Sequence, residues 1–326
     1  MKHITLIATP GVNLGSIDNP ARAFHAVNAF LQSRGEAPLF TVQIAGMKPE
    51  IKVDNGRYTI HPDVEIVAIR HTDLIVVPAF DGDIQQNIES AGPFLPWMVH
   101  QYKEGAEIAS LCVGAFLVAA TGLLNGRSCS THWRAAVAFG KLFPEVQLVT
   151  DKVITDERGI YTSGGAFSSA NLILYIIEKY AGRDVAIHCA KIFQIDMDRH
   201  SQSPFIIFEG QKDHEDPEIR QAQAYIEDNY QEKISVDELS SMLALSRRNL
   251  ERRFKKATTN TVVEYIQRVK IEAVKKLLET GRKTVNELMY EVGYNDPKSF
   301  RSLFKKYTGL SPVAYRNRYN KEAALV

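Results

Sequence analysis

Phe254-Lys-Lys-Ala-Thr-Thr-Asn-Thr-Val-Val-Glu-Tyr-Ile-Gln-Arg268 and Phe304-Lys-Lys-Tyr-Thr-Gly-Leu-Ser-Pro-Val-Ala-Tyr-Arg-Asn-Arg318 follow one pattern at a spacing of 50 residues. Phe, Lys, Lys, Thr, Val, Tyr and Arg recur in step, and upstream Leu250 matches Phe300. Apolar residues four apart with basic residues between them describe a helical unit, here used twice. Two such units in tandem suit a chain that grips two neighbouring stretches of a DNA groove.

The first unit opens with Ser235-Val-Asp-Glu238, a capping-box spacing that predicts a helix over 236–243. A tight turn then leads to a second helix starting at Ser246, with Leu250 and Phe254 facing the core. Arg248, Glu251, Arg252 and Lys255 share a different stripe and are the groove candidates. The second unit runs from Thr284 through Val292, turns at Gly293-Tyr294-Asn295, and starts its recognition helix at Asp296-Pro297, with Asp as cap and Pro at the first helical position. Phe300 and Phe304 form its core stripe; Lys298, Arg301, Ser302 and Lys305 form its exposed one. Between the units, 262–280 reads as one amphipathic helix ended by Gly281. Its 19 residues span about 28 Å, close to the ~34 Å of one DNA turn.

At 326 residues the chain exceeds what one core usually serves, which predicts two domains. Residues 1–210 hold 17 Lys and Arg against 21 Asp and Glu, and 211–326 hold 22 against 17, so a net charge of +1 hides an acidic part and a basic part. From Lys233 onward the balance is 20 against 10, an excess that attracts phosphate backbones. Lysines and arginines that merely keep a helical bundle soluble are the alternative.

Cys112, Cys129 and Cys189 are too few and too scattered for a disulfide framework or a metal site. No metal or cofactor is expected, and a reducing cytoplasm is the expected compartment. The N-terminal stretch lacks the long apolar region of a signal peptide, and no uninterrupted apolar run approaches the ~20 residues needed to span a bilayer.

The first 200 residues alternate short apolar runs (4–8, 40–45, 74–79 and 108–113) with helical patterns around 21–33 and 84–102. That alternation predicts a parallel sheet with crossover helices, an α/β sandwich. Gly210-Gln-Lys-Asp-His-Glu-Asp-Pro217 is short, charged and closed by proline, and reads as a linker. The expected division is therefore 1–208, a linker over 209–218, and an all-helical 219–326 with helix-turn-helix units at about 235–257 and 284–308.

The helical part resembles the AraC/XylS family of transcription regulators. The first unit carries Ser246-x-Arg248-x-Leu250-x-Arg252-x-Phe254; the second carries Gly293-Tyr294, Phe300, Phe304-Lys305, Gly309, Ser311-Pro312 and Tyr315-Arg316 in family order. Met289 departs from the family's usual small Ala, and Ser240 holds the matching place in the first unit; both point to adjusted helix packing. The resemblance implies promoter DNA as partner, with RNA polymerase as a further contact.

Glu107-Ile-Ala-Ser-Leu-Cys112-Val-Gly-Ala-Phe reads as a strand, a sharp turn at Cys112 and a helix. A thiol near a helix N-terminus is expected to be favoured as thiolate. Ser130-Thr-His132-Trp133 offers an imidazole as partner. Together with Gly122-Leu-Leu-Asn-Gly126, Phe143-Pro144 and Thr162-Ser-Gly-Gly165, this resembles the ThiJ/PfpI group of the glutamine-amidotransferase-like superfamily. It implies a flavodoxin-like three-layer sandwich for 1–208, and its order before an AraC-type domain looks like the GlxA-type regulators.

In catalytic relatives an acid after the first strand and a Gly-rich loop after a later strand assist the cysteine. Here Ser16 stands in the place of the acid with Asp18 two residues late, and Val77-Pro-Ala-Phe80 replaces Pro-Gly-Gly. No catalytic residue is therefore assigned; Cys112, His132, Ser16 and Asp18 are vestigial or pocket candidates. Cys112 is open to three readings: nucleophile, pocket-lining residue or inert buried thiol. Phe80 and Trp133 join Cys112 and His132 as the expected pocket, which suits an amine or quaternary ammonium by cation–π contact. The family resemblance adds a small-molecule effector, amino-acid-derived or a quaternary amine, a homodimer, and control of catabolic genes, usually as an activator. The alternatives are a cysteine-dependent amidase, hydratase or deglycase fused to a DNA-binding domain, and a regulator whose N-terminal domain only dimerises.

Overall fold

In the computed structural model, which describes residues 1–320, the four apolar runs become parallel strands. The chain divides into two units, Met1–Gln202 and a second beginning at Ser203. The first unit runs β1 (Lys2–Ile7), α1 (Gly15–Ser33), β2 (Phe40–Gly46), β3 (Ile51–Val53), β4 (Tyr58–Ile60), β5 (Val64–Glu65) and β6 (Leu74–Val77). It continues with α2 (Ile84–Ser90), α3 (Phe94–Lys103), β7 (Glu107–Leu111), α4 (Ala115–Ala120), β8 (Ser128–Cys129) and α5 (Ala136–Leu142). It closes with β9 (Gln147–Leu148), β10 (Ile154–Glu157), β11 (Ile160–Ser163), α6 (Ser169–Ala181) and α7 (Arg183–Phe193).

Among the described residues, seven strands form one sheet in the order β10-β11-β7-β6-β1-β2-β5. All neighbours are parallel except β10 and β11. Alternate residues serve opposite faces. Ile4, Leu6, Leu74 and Val76 pack with α1, α6 and α7 through Phe24, Val27, Leu172 and Ile176, while Ile7, Ile75, Val77 and Ile108 meet Phe94, Met98, Phe116 and Phe139 on the other side. The result is a three-layer α/β sandwich. The helical pattern over 84–102 is two helices, because Gly92 and Pro93 interrupt it and Pro93 opens α3 instead.

The second unit is helical: α8 (Pro217–Asp228), α9 (Val236–Met242), α10 (Arg247–Thr258), α11 (Val262–Thr280), α12 (Val285–Glu291), α13 (Pro297–Thr308) and α14 (Pro312–Tyr319). Capping boxes at Ser235/Glu238, Thr261/Glu264 and Thr284/Glu287 start α9, α11 and α12, and Asp296 with Pro297 starts α13. Leu250 and Phe254 pack in one cluster and Phe300 and Phe304 in a second, where Met289 is fully buried.

The 50-residue repeat is visible bond by bond. Thr258 and Thr308 each donate Oγ1 to the carbonyl four residues back, at 2.8 Å. Tyr265 and Tyr315 set their rings edge-on against Phe254 and Phe304. Their hydroxyls donate to Glu227 on α8 at 2.7 Å and to Glu279 on α11 at 2.6 Å. The charged stretch before α8 is held as well: Asp216 caps Ile219 and accepts both ends of the Arg253 guanidinium at 2.6 and 2.9 Å.

Gly114, in the turn before α4, sits where a Cβ would lie 2.6 Å from the Pro78 carbonyl oxygen and 2.7 Å from that of Val77. Backbone cannot yield as a flexible side chain does, so Gly114→Ala is expected to cost upward of about 2 kcal/mol. Both tryptophans, Trp97 and Trp133, belong to the first unit. Urea unfolding followed by tryptophan fluorescence therefore reads this loss; an unshifted midpoint contradicts it.

Candidate functional site

The end of β7 delivers Cys112 into a tight turn, Cys112–Gly114, that leads directly into α4. Cys112 has φ +55°, a left-handed conformation uncommon for a residue with a side chain. Such a strand-to-helix elbow lifts a side chain out of the sheet's end toward a cleft. The loop after β1 and the loop after β6 close over it: Val12 and Phe80 form a bridge, Asn13 N–H donates to Ala79 O, and Asp81 N–H to Gly11 O.

Beside the elbow lies a pocket of about 980 Å³. Of the expected residues, Cys112, His132, Phe80 and Ser16 line it. Two others do not. Trp133 is half-buried in the short turn after His132, its ring centroid 5.6 Å from that of His132, and Phe80 pairs edge-on with Phe116 instead. Asp18 is exposed on α1, where it pairs with Arg22 one turn on rather than reaching the thiol. The aromatic cage of Phe80 and Trp133 is therefore not assembled.

The pocket's charged lining is Arg22, Asp81, Asp196 and Arg199. None is signalled by a local motif: Asp196 and Arg199 follow α7, far along the chain, and only the topology returns them. Asp81 accepts from Asn13 Nδ2 at 2.9 Å.

Burial decides the state of the thiol. It pushes the Cys112 pKa up to about 11, with the Val113 amide opposing and the Asp81 carboxylate adding to the rise. The expectation that the helix dipole favours thiolate is thus overridden: Cys112 is only 6 % exposed, and the thiol is neutral at physiological pH. His132 is no remedy. Its Nδ1 accepts the Arg134 amide N–H at 3.1 Å, which leaves the proton on Nε2 and the outer nitrogen a donor. Burial and the neighbouring Arg134 also pull its pKa below the ordinary value. No hydrogen bond joins His132 to Cys112 among the described residues. Cys129 and Cys189 are buried free thiols in the two core layers.

On the helical unit, Arg248, Glu251, Arg252 and Lys255 are all exposed on α10. Arg252 Nη2 donates to Asn249 Oδ1 at 3.0 Å, Glu251 accepts from Arg247, and Lys255 Nζ donates to the Thr259 carbonyl at the helix end. Lys298, Arg301, Ser302 and Lys305 are exposed on α13 at places related by the same 50-residue offset. Each stripe lies away from its buried Leu250–Phe254 or Phe300–Phe304 edge.

No group of three or more metal-ligating side chains occurs among the described residues, and no described helix is long and apolar enough to cross a membrane.

Two family models match: DJ-1/PfpI family over residues 4–179 and helix-turn-helix domain over residues 239–318. Similar curated proteins include the HTH-type transcriptional regulator GbdR of Pseudomonas aeruginosa, 26% identical over 216 residues, 65% of this chain and 58% of that protein. The HTH-type transcriptional regulator GlxA of Rhizobium meliloti is 23% identical over 221 residues, 66% of each chain. The chain thus spans less than two thirds of these relatives' length. The bifunctional transcriptional activator/DNA repair enzyme AdaA of Bacillus subtilis is 36% identical over 98 residues, 30% of this chain and 46% of that protein. A ThiJ/PfpI family protein from Pseudomonas syringae superposes with a TM-score of 0.51 at 15% identity, covering 83% of this chain and 89% of that one. Drosophila melanogaster DJ-1beta gives 0.50 at 19% identity, covering 60% and 98%. The chain belongs to the DJ-1/PfpI family and carries a C-terminal AraC-type helix-turn-helix domain.

Because the thiolate form is scarce at neutral pH, alkylation of Cys112 by iodoacetamide, followed peptide by peptide, is expected to be slow at pH 7–8 and to climb roughly tenfold per pH unit through pH 10. A plateau below pH 9 contradicts the buried, neutral thiol.

Proposed function

We propose that this protein is a DNA-binding transcription regulator in which the DJ-1/PfpI domain binds a small metabolite and the two helix-turn-helix units read a promoter. The observation that carries the reading is the pair of equivalent exposed basic stripes, on α10 and α13, fixed to one connecting helix. The named function of GbdR and GlxA as transcriptional regulators supports it. Arginines at base edges supply sequence preference, and lysines neutralise phosphates. The reading includes a homodimer in the cytoplasm, activation of genes for small-molecule catabolism, and RNA polymerase as a further contact. The effector class is an amino-acid-derived compound or a quaternary amine; Asp81 and Asp196 are the pocket carboxylates that would take its cation.

The mechanism is population shift: effector in the pocket favours one arrangement of the two domains about the chain that joins them, changing which half-sites a dimer spans. The domain works without turnover in this reading, since a neutral thiol, a histidine with its inner nitrogen occupied and Ser16 in place of the acid supply neither nucleophile nor base. The strained elbow at Cys112 favours the second reading, a cysteine-dependent enzyme.

Arg252→Ala is expected to cost ~1–3 kcal/mol on a duplex enriched from a random pool by the full chain, and little on bulk DNA. Equal losses on both demote Arg252 to a backbone contact. For the pocket, a fluorescence thermal-shift screen of the full chain against amino acids, betaines, carnitine and polyamines reads the first unit through its two tryptophans. A stabilising compound recovered unchanged by mass spectrometry is the expected result. One consumed in a Cys112-dependent way establishes the enzyme.

A further inference from the structure

The stretch at 203–208 is bound to the helical unit along its length. The Pro204 carbonyl accepts from Tyr319 Oη at 3.1 Å, the Ile206 carbonyl from Lys275 Nζ at 2.6 Å, and the Phe208 N–H donates to Glu272 Oε2 at 3.1 Å. Lys275 and Glu272 form an ion pair at 2.7 Å on α11, with side chains only 5% and 12% exposed. The turn Ser203–Phe205 packs against α13, and the Arg318 guanidinium lies 4.8 Å from the Phe205 ring centre. Arg268 stands between the Phe208 ring and that of Tyr307 on α13, at 5.5 and 5.0 Å. The strap is thus linked through one guanidinium to the second recognition helix.

The chemistry of this seat is that of a reversible one. A buried ion pair costs desolvation, which here is offset by peptide groups of the strap. When the strap lifts, water replaces those peptide groups, so no stranded charge opposes release. Lys270, the other buried lysine of α11, donates instead to carbonyls at Glu232 and Val292 on either side of the helical unit's own turns.

The residue just before the strap, Gln202, belongs to the other unit. Its buried amide donates to Ser130 Oγ at 3.2 Å, Thr131 O at 3.1 Å and Lys152 O at 2.9 Å. Thr131 in turn donates Oγ1 to the Cys112 carbonyl at 3.1 Å, and its neighbour His132 lines the pocket. A Cβ on Gly164 would lie 1.8 Å from Gln202 Nε2, so the amide also packs flat on the loop that continues to the pocket residues Ala166 and Phe167.

We propose that residues 203–208 are a transmission strap: Gln202, just before it, anchors its start to the loops around the pocket, and Lys275, Glu272 and Tyr319 hold it against α11, α13 and α14. A shift of those loops then changes how firmly the second reading head is held. As a route for effector control this rests on the sensor reading above, but the coupling itself needs no effector.

Hydrogen exchange on the full chain tests it. Lys275→Met is expected to speed exchange across 205–209 by about tenfold or more, with the α8 amides unchanged. Gly164→Ala, in the other domain, displaces Gln202 and is expected to speed the same segment several-fold. Combined with Lys275→Met it adds nothing, because the strap is already loose. If Gly164→Ala or Lys275→Met does not fold, Gln202→Ala and Tyr319→Phe replace them. Wild-type exchange over 205–209 in Gly164→Ala and Gln202→Ala, or additive effects in the double variant, overturns the proposal. Because no metabolite is used, that failure leaves the sensor reading intact, and a screen without hits leaves the coupling intact.

Discussion

The ammonium of Lys270 ties the two halves of the helical unit to the helix between them. From the middle of α11 it donates to the Glu232 carbonyl at 2.8 Å, ahead of the first helix-turn-helix unit, and to the Val292 carbonyl at 2.7 Å, in the turn of the second. Burial pulls its pKa below the ordinary value, with Glu232 opposing. A buried charge is tolerated where hydrogen bonds satisfy it, and removing one partner is far costlier than never having built the pair. The adjoining backbone is equally close: at Gly293, φ +77°, a Cβ would lie 2.7 Å from the Gln231 carbonyl oxygen and 3.2 Å from the Lys270 ammonium. Only glycine serves both demands there. Everything proposed about two reading heads acting as one depends on this join.

The other unit shows the opposite use of burial. Its elbow keeps the strained geometry that presents a thiol, yet Cys112 is sunk so far that desolvation outweighs the helix dipole. Phe80, bridged through its backbone to Val12, occupies the loop where a glycine pair would admit an oxyanion. What remains is a mixed cavity with opposite charges on its walls, a shape for holding a polar metabolite rather than for activating a nucleophile.

Much of this was legible in the amino-acid sequence wherever the chemistry is local. Ser235 with Glu238, Thr284 with Glu287, and Asp296 with Pro297 each announce a helix start, and each cap is formed. The repeat around Phe254 and Phe304 likewise encodes two equivalent packings. What could not be read is what distance along the chain conceals. Asp81, Asp196 and Arg199 meet at one pocket only through the sheet's strand order. Trp133 looks like a pocket residue beside His132, but the turn it starts takes its ring elsewhere. Residues 210–217 read as a linker because they are short, charged and closed by proline, whereas Asp216 is held by Arg253 and caps α8, and just upstream the Ile206 carbonyl and the Phe208 N–H are held by Lys275 and Glu272, pairings that no periodicity reveals.

The central claim is that two equivalent heads, joined through α11 and Lys270, read successive stretches on one face of a duplex. Hydroxyl-radical footprinting of the full chain, on DNA enriched from a random pool, tests it most directly. Two protected windows centred about 10 base pairs apart on the same face are the predicted result. A single window, or two windows on opposite faces of the helix, contradicts the account.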